Sequence, residues 1–301
     1  MGGRESAFPG GRSGAGRASG PTQRTFSKIS NITCKNCAIR PPLARYHPQR
    51  YMRGTGRSLP GHQNKGSNMK TIVICSGGLD SVSLAHMVAE EQQLTRLVSF
   101  DYGQRHRKEL DYAAAAAERL GVPHGIIDMR AIGAALSGSA LTDDIDVPDG
   151  HYEEESMKVT VVPNRNAIML TIAYGIAAAN GDDAVATAVH GGDHFIYPDC
   201  RPAFTEAFDT MQRAALDGYA DVRLYTPFVH RTKGDIVTAG AKHNTPFADT
   251  WSCYKGGEKH CGRCGTCVER REAFHLAGVE DPTDYADPDF WQQAIAGKES
   301  A

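Results

Sequence analysis

The sequence predicts an α/β protein: a doubly wound, mostly parallel sheet followed by a small C-terminal zinc-binding subdomain built on four cysteines. Three observations predict it. Strand-length apolar runs alternate with longer helical stretches up to about residue 247, the pattern of a parallel sheet covered on both faces. A turn with two glycines, Ser76-Gly-Gly-Leu-Asp-Ser81, joins the first such run to the first helix. From Ala248 onward the alternation stops and a cysteine-rich segment replaces it.

The 301 residues leave room for one α/β domain with additions. Of the 33 basic and 35 acidic residues, twelve basic and one acidic (Glu5) fall in residues 1–68, so residues 69–301 carry 21 basic against 34 acidic. A body that acidic matches a long phosphate backbone poorly, because such binding draws on clustered Lys and Arg. Small substrates are expected, and no nucleic acid. Residues 1–68 are rich in Gly, Ser and Arg and lack apolar periodicity, so a disordered basic extension is expected. It reads as an organellar leader or as a start placed upstream of Met69; the second fits better, since "KTIVICSGG" begins a strand at once. The lone CxxC at Cys34 to Cys37 reads as chance. No run approaches the ~18 to 20 apolar residues that span a bilayer, so a cytoplasmic protein without a membrane partner is expected.

Strands are expected at Thr71–Cys75, Leu97–Phe100, Gly125–Asp128, Asp183–Thr187 and Val222–Tyr225. Helical stretches at 80–93, 108–120 and 166–180 lie between them; the last is apolar nearly all round, which predicts a central, buried helix. Phe204, Phe208, Met211 and Ala215 recur at helical spacing and predict the inner stripe of another. Residues 137–158 are acidic, turn-rich and too long for an ordinary connection, which predicts a cover over a site or a mobile surface loop. These readings place an ATP-binding domain at 69–247 and a zinc-binding helical subdomain with its tail at 248–301.

In an open α/β sheet the carboxyl end of the first strand faces the ligand crevice, and the next helix points unsatisfied N–H groups at it. An anion is favoured there. Gly77 and Gly78 let the backbone approach phosphate oxygens, Ser76 and Ser81 add hydroxyl donors, and Asp80 suits a helix cap or a magnesium ion. No Lys-Ser or Lys-Thr follows at the Walker A distance, and the turn is not GxGxxG. Cys253, Cys261, Cys264 and Cys267 stand at spacings x7, x2 and x2, which read as four thiolates on one structural zinc ion. An iron–sulfur cluster also takes four thiolates and stays open at this point. His190 and His194 flank Asp193, but two histidines and one acid carry no metal assignment.

The turn resembles the PP-loop, SGGxDS, of the ATP pyrophosphatase superfamily, with its adenine nucleotide alpha hydrolase-like fold. Together with the cysteine group it resembles the 7-cyano-7-deazaguanine synthase family. "FDYGQRH" (Phe100–His106), "VPNRN" (Val162–Asn166), "YPDCRPAF" (Tyr197–Phe204), "TPF" (Thr226–Phe228) and "DPTDY" (Asp281–Tyr285) stand in that family's order. The resemblance implies a ligase of queuosine biosynthesis that turns 7-carboxy-7-deazaguanine and ammonia into the nitrile 7-cyano-7-deazaguanine (preQ0), with ATP as co-substrate and Mg2+. Adenylating the carboxylate makes AMP the leaving group, and a second activation removes the amide oxygen. Some descriptions of the family give ADP; a PP-loop implies AMP and pyrophosphate.

The resemblance also implies roles. Ser76, Gly77, Gly78, Leu79, Asp80 and Ser81 would hold ATP, with Tyr102, Gln104 and His106 after the second strand lining the same crevice. Arg165 would grip the substrate carboxylate or a phosphate, its fork matching either anion. Asn166, Asp193, Tyr197, Asp199 and Arg201 would read the purine edge, and Ser76, Asp80, Ser81 and Arg165 would carry the chemistry. A homodimer is implied. Two rivals remain: a tRNA thiolase of the same superfamily, and a non-catalytic zinc module gripping nucleic acid through Lys255, Lys259, Arg263, Arg270 and Arg271.

Overall fold

The structure, a computed structural model, describes residues 68–105 and 107–299. The basic extension with its CxxC, and His106, lie outside the described residues. Chain contacts divide the protein after Gly61, and every described residue belongs to the second unit, His62–Ala301.

Its elements run β1 (Lys70–Ile74), α1 (Leu79–Glu91), β2 (Gln93–Asp101), α2 (Lys108–Leu120), β3 (His124–Asp128), α3 (Arg130–Ala135), α4 (Arg165–Asn180), β4 (Ala184–Ala186), α5 (Pro202–Ala215), β5 (Arg223–Tyr225), α6 (Lys233–Lys242), α7 (Gly265–Ala277) and α8 (Phe290–Glu299). The five strands lie in the order β3-β2-β1-β4-β5, and each pairing is parallel. Ile72 and Val73 of β1 and all of β4 are fully buried, as parallel strands covered on both faces require. On one face α1, α2, α6 and α7 pack through Val82, Ala113, Ile236 and Phe274. On the other, α4 and α5 pack through Leu170, Tyr174 and Phe208. Strand order reverses between β1 and β4, which places a crevice at their carboxyl ends.

Two helix readings are corrected. Helix α4 is not buried all round: Met169, Leu170, Ala173, Tyr174 and Ala177 face inward, while Ile168, Ile172 and Ile176 are half-buried. The sheet covers only one side of it. In α5 the inner residues are Thr205, Phe208 and Gln212, whereas Met211 is 50 % exposed and Ala215 is exposed. Polar Gln212 turns inward because its amide donates to Thr171 Oγ1 of α4 at 3.3 Å. Residues 137–158 are no plain surface loop: Ala140, Leu141, Val147, His151 and Met157 are buried, and Asp149 pairs with Lys255 and Arg263 of the cysteine segment.

Gly77 owes its identity to packing as well as to any ligand. Its φ is +85°, and a Cβ there would sit 2.1 Å from the Glu109 carbonyl oxygen and 2.8 Å from the Ala113 nitrogen, both main-chain atoms of α2. The expectation that glycine serves phosphate approach therefore covers Gly78 better than Gly77. Gly77→Ala must displace a helix backbone and strain φ, so a loss of about 3 kcal/mol or more is expected in denaturant titrations.

Candidate nucleotide and carboxylate cavity

A cavity of about 260 Å³ opens at the switch point, lined by the β1–α1 turn and by the ends of β2, α2, α4 and α6. Its size is near the lower end for small-molecule sites. Ser76, Gly78, Leu79, Asp80, Ser81, Tyr102, Gln104, Arg165, Asn166 and Asp193 of the expected residues line it. Gly77, Tyr197, Asp199 and Arg201 do not.

The turn is held from within. Ser81 Oγ accepts from the Ser76 N–H at 3.1 Å and donates to the Gly78 carbonyl at 3.1 Å, so this hydroxyl shapes the loop instead of facing outward. Ser76 remains exposed. The Trp251 N–H donates to the Gly77 carbonyl at 2.9 Å and ties the turn to the C-terminal segment. Gly78 is the N-cap of α1, with no side-chain cap, so Asp80 does not cap the helix. Asp80 Oδ2 instead accepts from Lys233 Nζ at 2.6 Å, and Glu269 Oε2 lies 3.0 Å from the same nitrogen.

The sequence reading did not single out Lys233 and Glu269 as site residues. A capping box places Lys233: Thr232 Oγ1 accepts from the Asp235 N–H while Asp235 Oδ2 accepts from the Thr232 N–H, fixing Lys233 as the first residue of α6. Burial opposes the Lys233 charge, yet Asp80, Glu269 and Asp193 outweigh it and hold its pKa above the ordinary lysine value. Burial pushes the Glu269 carboxyl up, against Lys233 and His190. His190 Nε2 lies 3.4 Å from Asp193, 3.8 Å from Asp80 and 3.8 Å from Glu269. His190, Asp193 and Glu269 are close enough to suggest a metal site. However, the Gly192 N–H donates to His190 Nδ1 at 3.1 Å, so the neutral ring carries its proton on Nε2 and presents a donor, not a lone pair, to the carboxylates.

Arg165, which also lines the cavity, opens α4, its Nη1 donating to Tyr102 Oη at 3.2 Å. No carboxylate lies within 4.0 Å of this guanidinium among the described residues. Asn166 spends its groups on the neighbouring turn: its N–H donates to Asp199 Oδ2 at 3.0 Å and its amide to the Asp199 carbonyl at 3.3 Å. Asp199 thus satisfies the N-terminus of α4, Tyr197 Oη bonds Thr160 at 2.7 Å, and Arg201 is exposed, donating to the His194 carbonyl at 2.8 Å. Local hydrogen bonding, which Asp and Pro in a turn favour, uses these groups.

Beside the cavity the sulfurs of Cys253, Cys261, Cys264 and Cys267 lie within 4.8 Å of one another, and none forms a disulfide. Cys261 Sγ and Cys267 Sγ are 3.9 Å apart, close to the tetrahedral edge of ~3.8 Å that metal–sulfur bonds of ~2.3 Å imply. One ion fits this donor set; a cubane cluster would spread the sulfurs further. The basic residues here are paired: Lys255 and Arg263 with Asp149, Lys259 with Asp284, and Arg270 and Arg271 with Asp281.

These features define the PP-loop class of nucleotide-using α/β enzymes with a four-thiol metal site. A model described as "Queuosine biosynthesis protein QueC" matches residues 70–278, and the chain belongs to that family. It is 80 % identical over 232 residues to a 7-cyano-7-deazaguanine synthase of Ruegeria sp. (strain TM1040), covering 77 % of this chain and all of the relative. A protein of the same name from Paracoccus denitrificans is 78 % identical over 233 residues, 77 % of this chain and 100 % of that one. Among solved structures, NMN synthetase from Francisella tularensis aligns with 76 % of this chain and 85 % of its own, with a TM-score of 0.41 at 17 % identity.

Proposed function

We propose that the chain is an ATP-dependent carbon–nitrogen ligase that converts 7-carboxy-7-deazaguanine and ammonia into 7-cyano-7-deazaguanine, the compound its relatives are named for making. One observation carries the reading. A single cavity is lined both by the N-terminus of α1 with Lys233 and by the guanidinium of Arg165, which no carboxylate of the described residues approaches within 4.0 Å. That pair of anion-binding groups suits an acid whose carboxyl oxygen must meet the α-phosphate of ATP.

The N–H groups opening α1, with Ser76 and Lys233, stabilise charge on the departing pyrophosphate, since fixed donors aimed at developing charge need no reorganisation. Arg165 holds the carboxylate. Tyr102 and Asp193 complete the walls around the purine. Asp80, Asp193 and Glu269 are the residues that would hold Mg2+: Asp80 Oδ1 and Glu269 Oε1 are buried without a hydrogen-bond partner, and three carboxylates exceed one lysine. That ion would supply screening of phosphate charge. The four cysteines would hold zinc, with no position open to water. A homodimer would cover the apolar residues that α4 and α5 leave at the surface, and sedimentation tests it. Among the described residues no helix is long and apolar enough to cross a membrane, in keeping with a cytoplasmic setting.

The full-length protein incubated with ATP, magnesium, ammonium and 7-carboxy-7-deazaguanine is expected to yield the nitrile by mass, with AMP and pyrophosphate. ADP as the sole nucleotide product would overturn the adenylate chemistry. Arg165→Met should raise KM for the carboxylate about 10- to 100-fold, the worth of a charged hydrogen-bond pair. Iron with a visible absorption band in the purified protein would replace zinc.

A further inference from the structure

We propose that Glu109 is the cavity's proton acceptor, taking a proton from ammonium to release the attacking amine and later taking N–H protons as the amide becomes a nitrile. This rests on the ligase reading above and assigns a role to a residue that the resemblance does not.

Glu109 is the second residue of α2 and lines the cavity. Its main-chain carbonyl is pressed against Gly77, which fixes the helix start beside the β1–α1 turn. The side chain is oriented too. Gln104 Oε1 accepts from the Tyr102 N–H at 2.9 Å, so its amide nitrogen must face the other way, donating to the Phe100 carbonyl at 3.1 Å and to Glu109 Oε1 at 3.1 Å. Of the four carboxylates lining the cavity, Asp80 and Glu269 face Lys233 and Asp193 faces His190. Of the four, Glu109 alone has no lysine, arginine or histidine nitrogen within 4.0 Å among the described residues, and its side chain meets the Gln104 amide instead. It is the one left free to accept a proton.

The groups facing it are Gln104 and Tyr102 from the segment after β2, Cys75 at the end of β1 and Arg165 of α4. Burial pushes the Glu109 carboxyl up to about 7, against the downward pull of Gln104 and Arg165. A carboxylate bound to Arg165 would offset part of that pull and strengthen the base further. Near neutral pH both forms are populated, which suits a group that must gain and release protons in one turnover.

The chemistry needs such a group twice. Ammonium has no lone pair, and its pKa lies well above neutrality. Transfer of one proton to the Glu109 carboxylate gives ammonia and a neutral carboxyl; the nitrogen lone pair then attacks the acyl carbon, the C–O bond to phosphate breaks with its electrons leaving on AMP, and the nitrogen sheds one further proton to water to give the neutral amide. In the second round the amide oxygen attacks the α-phosphate of ATP and pyrophosphate leaves. The resulting cationic imidate loses two N–H protons, one per transfer to a base, while its C–O bond breaks to AMP and the carbon–nitrogen triple bond forms.

The test compares two amines on the full-length protein. Hydroxylamine is already neutral near pH 7, needs no deprotonation before attack, and traps the adenylate as hydroxamate. In Glu109→Gln, amide formation from ammonium at neutral pH should fall about 100-fold or more, the usual worth of a positioned base, while hydroxamate formation and carboxylate-dependent ATP–pyrophosphate exchange persist. The wild-type rate should rise with pH through about 7, since the base is active deprotonated. Glu109→Asp should keep that rise at a lower rate, and Glu109→Gln should lose it, recovering only where ammonium itself deprotonates. Equal loss of both amines in Glu109→Gln, with Glu109→Asp folded and active, would assign the residue to adenylation or packing and overturn the proposal; so would an unchanged ammonium rate. Failure of the wild type to make any nitrile would instead overturn the ligase reading.

Discussion

Lys233→Met is expected to lower nitrile formation about 1000-fold, the scale seen when a fixed donor to a developing anion is removed. The effect should fall on kcat more than on KM for the deazapurine, because Lys233 meets Asp80 and Glu269 while Arg165 is the group proposed to hold the carboxylate. The same substitution should cost stability. It removes the cation between Asp80 and Glu269, at 2.6 and 3.0 Å, and leaves carboxylates buried without it, a change that usually costs about 3–5 kcal/mol. Isotope exchange between pyrophosphate and ATP, with thermal melts alongside, separates the two effects: a folded protein with normal exchange would remove Lys233 from the site.

The second large effect is expected from the cysteines. Helix α7 begins at Gly265 and carries both the thiol of Cys267 and, one half-turn on, Glu269, which meets Lys233. Cys264→Ser or treatment with a chelator should therefore cost activity as well as stability, because the wall of the cavity is built on the segment that the four cysteines organise. Free energies of structural zinc binding reach about 10 kcal/mol or more, which exceeds the stability of many whole domains. A stripped protein is expected to lose at least 1000-fold in turnover, a loss of about 4 kcal/mol at the transition state, and to recover on adding zinc. Full activity in metal-free protein would contradict this.

The sequence disclosed what local patterning carries. Each strand follows from its apolar run, and the alternation of those runs with helical stretches implies a parallel sheet. The Ser76–Ser81 turn and the four cysteines are compact in sequence because the turn and the metal each draw on neighbouring residues. What could not be read comes from afar. Glu269 sits in "VERRE", which looks like a solvated face, yet Arg270 beside it is fully buried and Phe247 and Thr250 accept its hydrogen bonds. Lys233 did leave a signal: Thr232 and Asp235 form a capping box just after a strand, which puts the lysine at a helix start on the crevice side. Asp199 and Arg201 make local bonds to Asn166 and the His194 carbonyl, as polar residues in a turn ahead of a helix commonly do. The half-exposed apolar flank of α4 was misread because hydrophobicity all round a helix indicates contact without naming the partner.

The bond from Trp251 to the Gly77 carbonyl has one more consequence. During synthesis the N-terminal half of the sheet can emerge and pair while its glycine turn still lacks the distant residue that fixes it. A ribosome-bound chain should therefore hold nucleotide weakly until the last third has been translated, and a nascent chain stalled before residue 251 offers the place to see it.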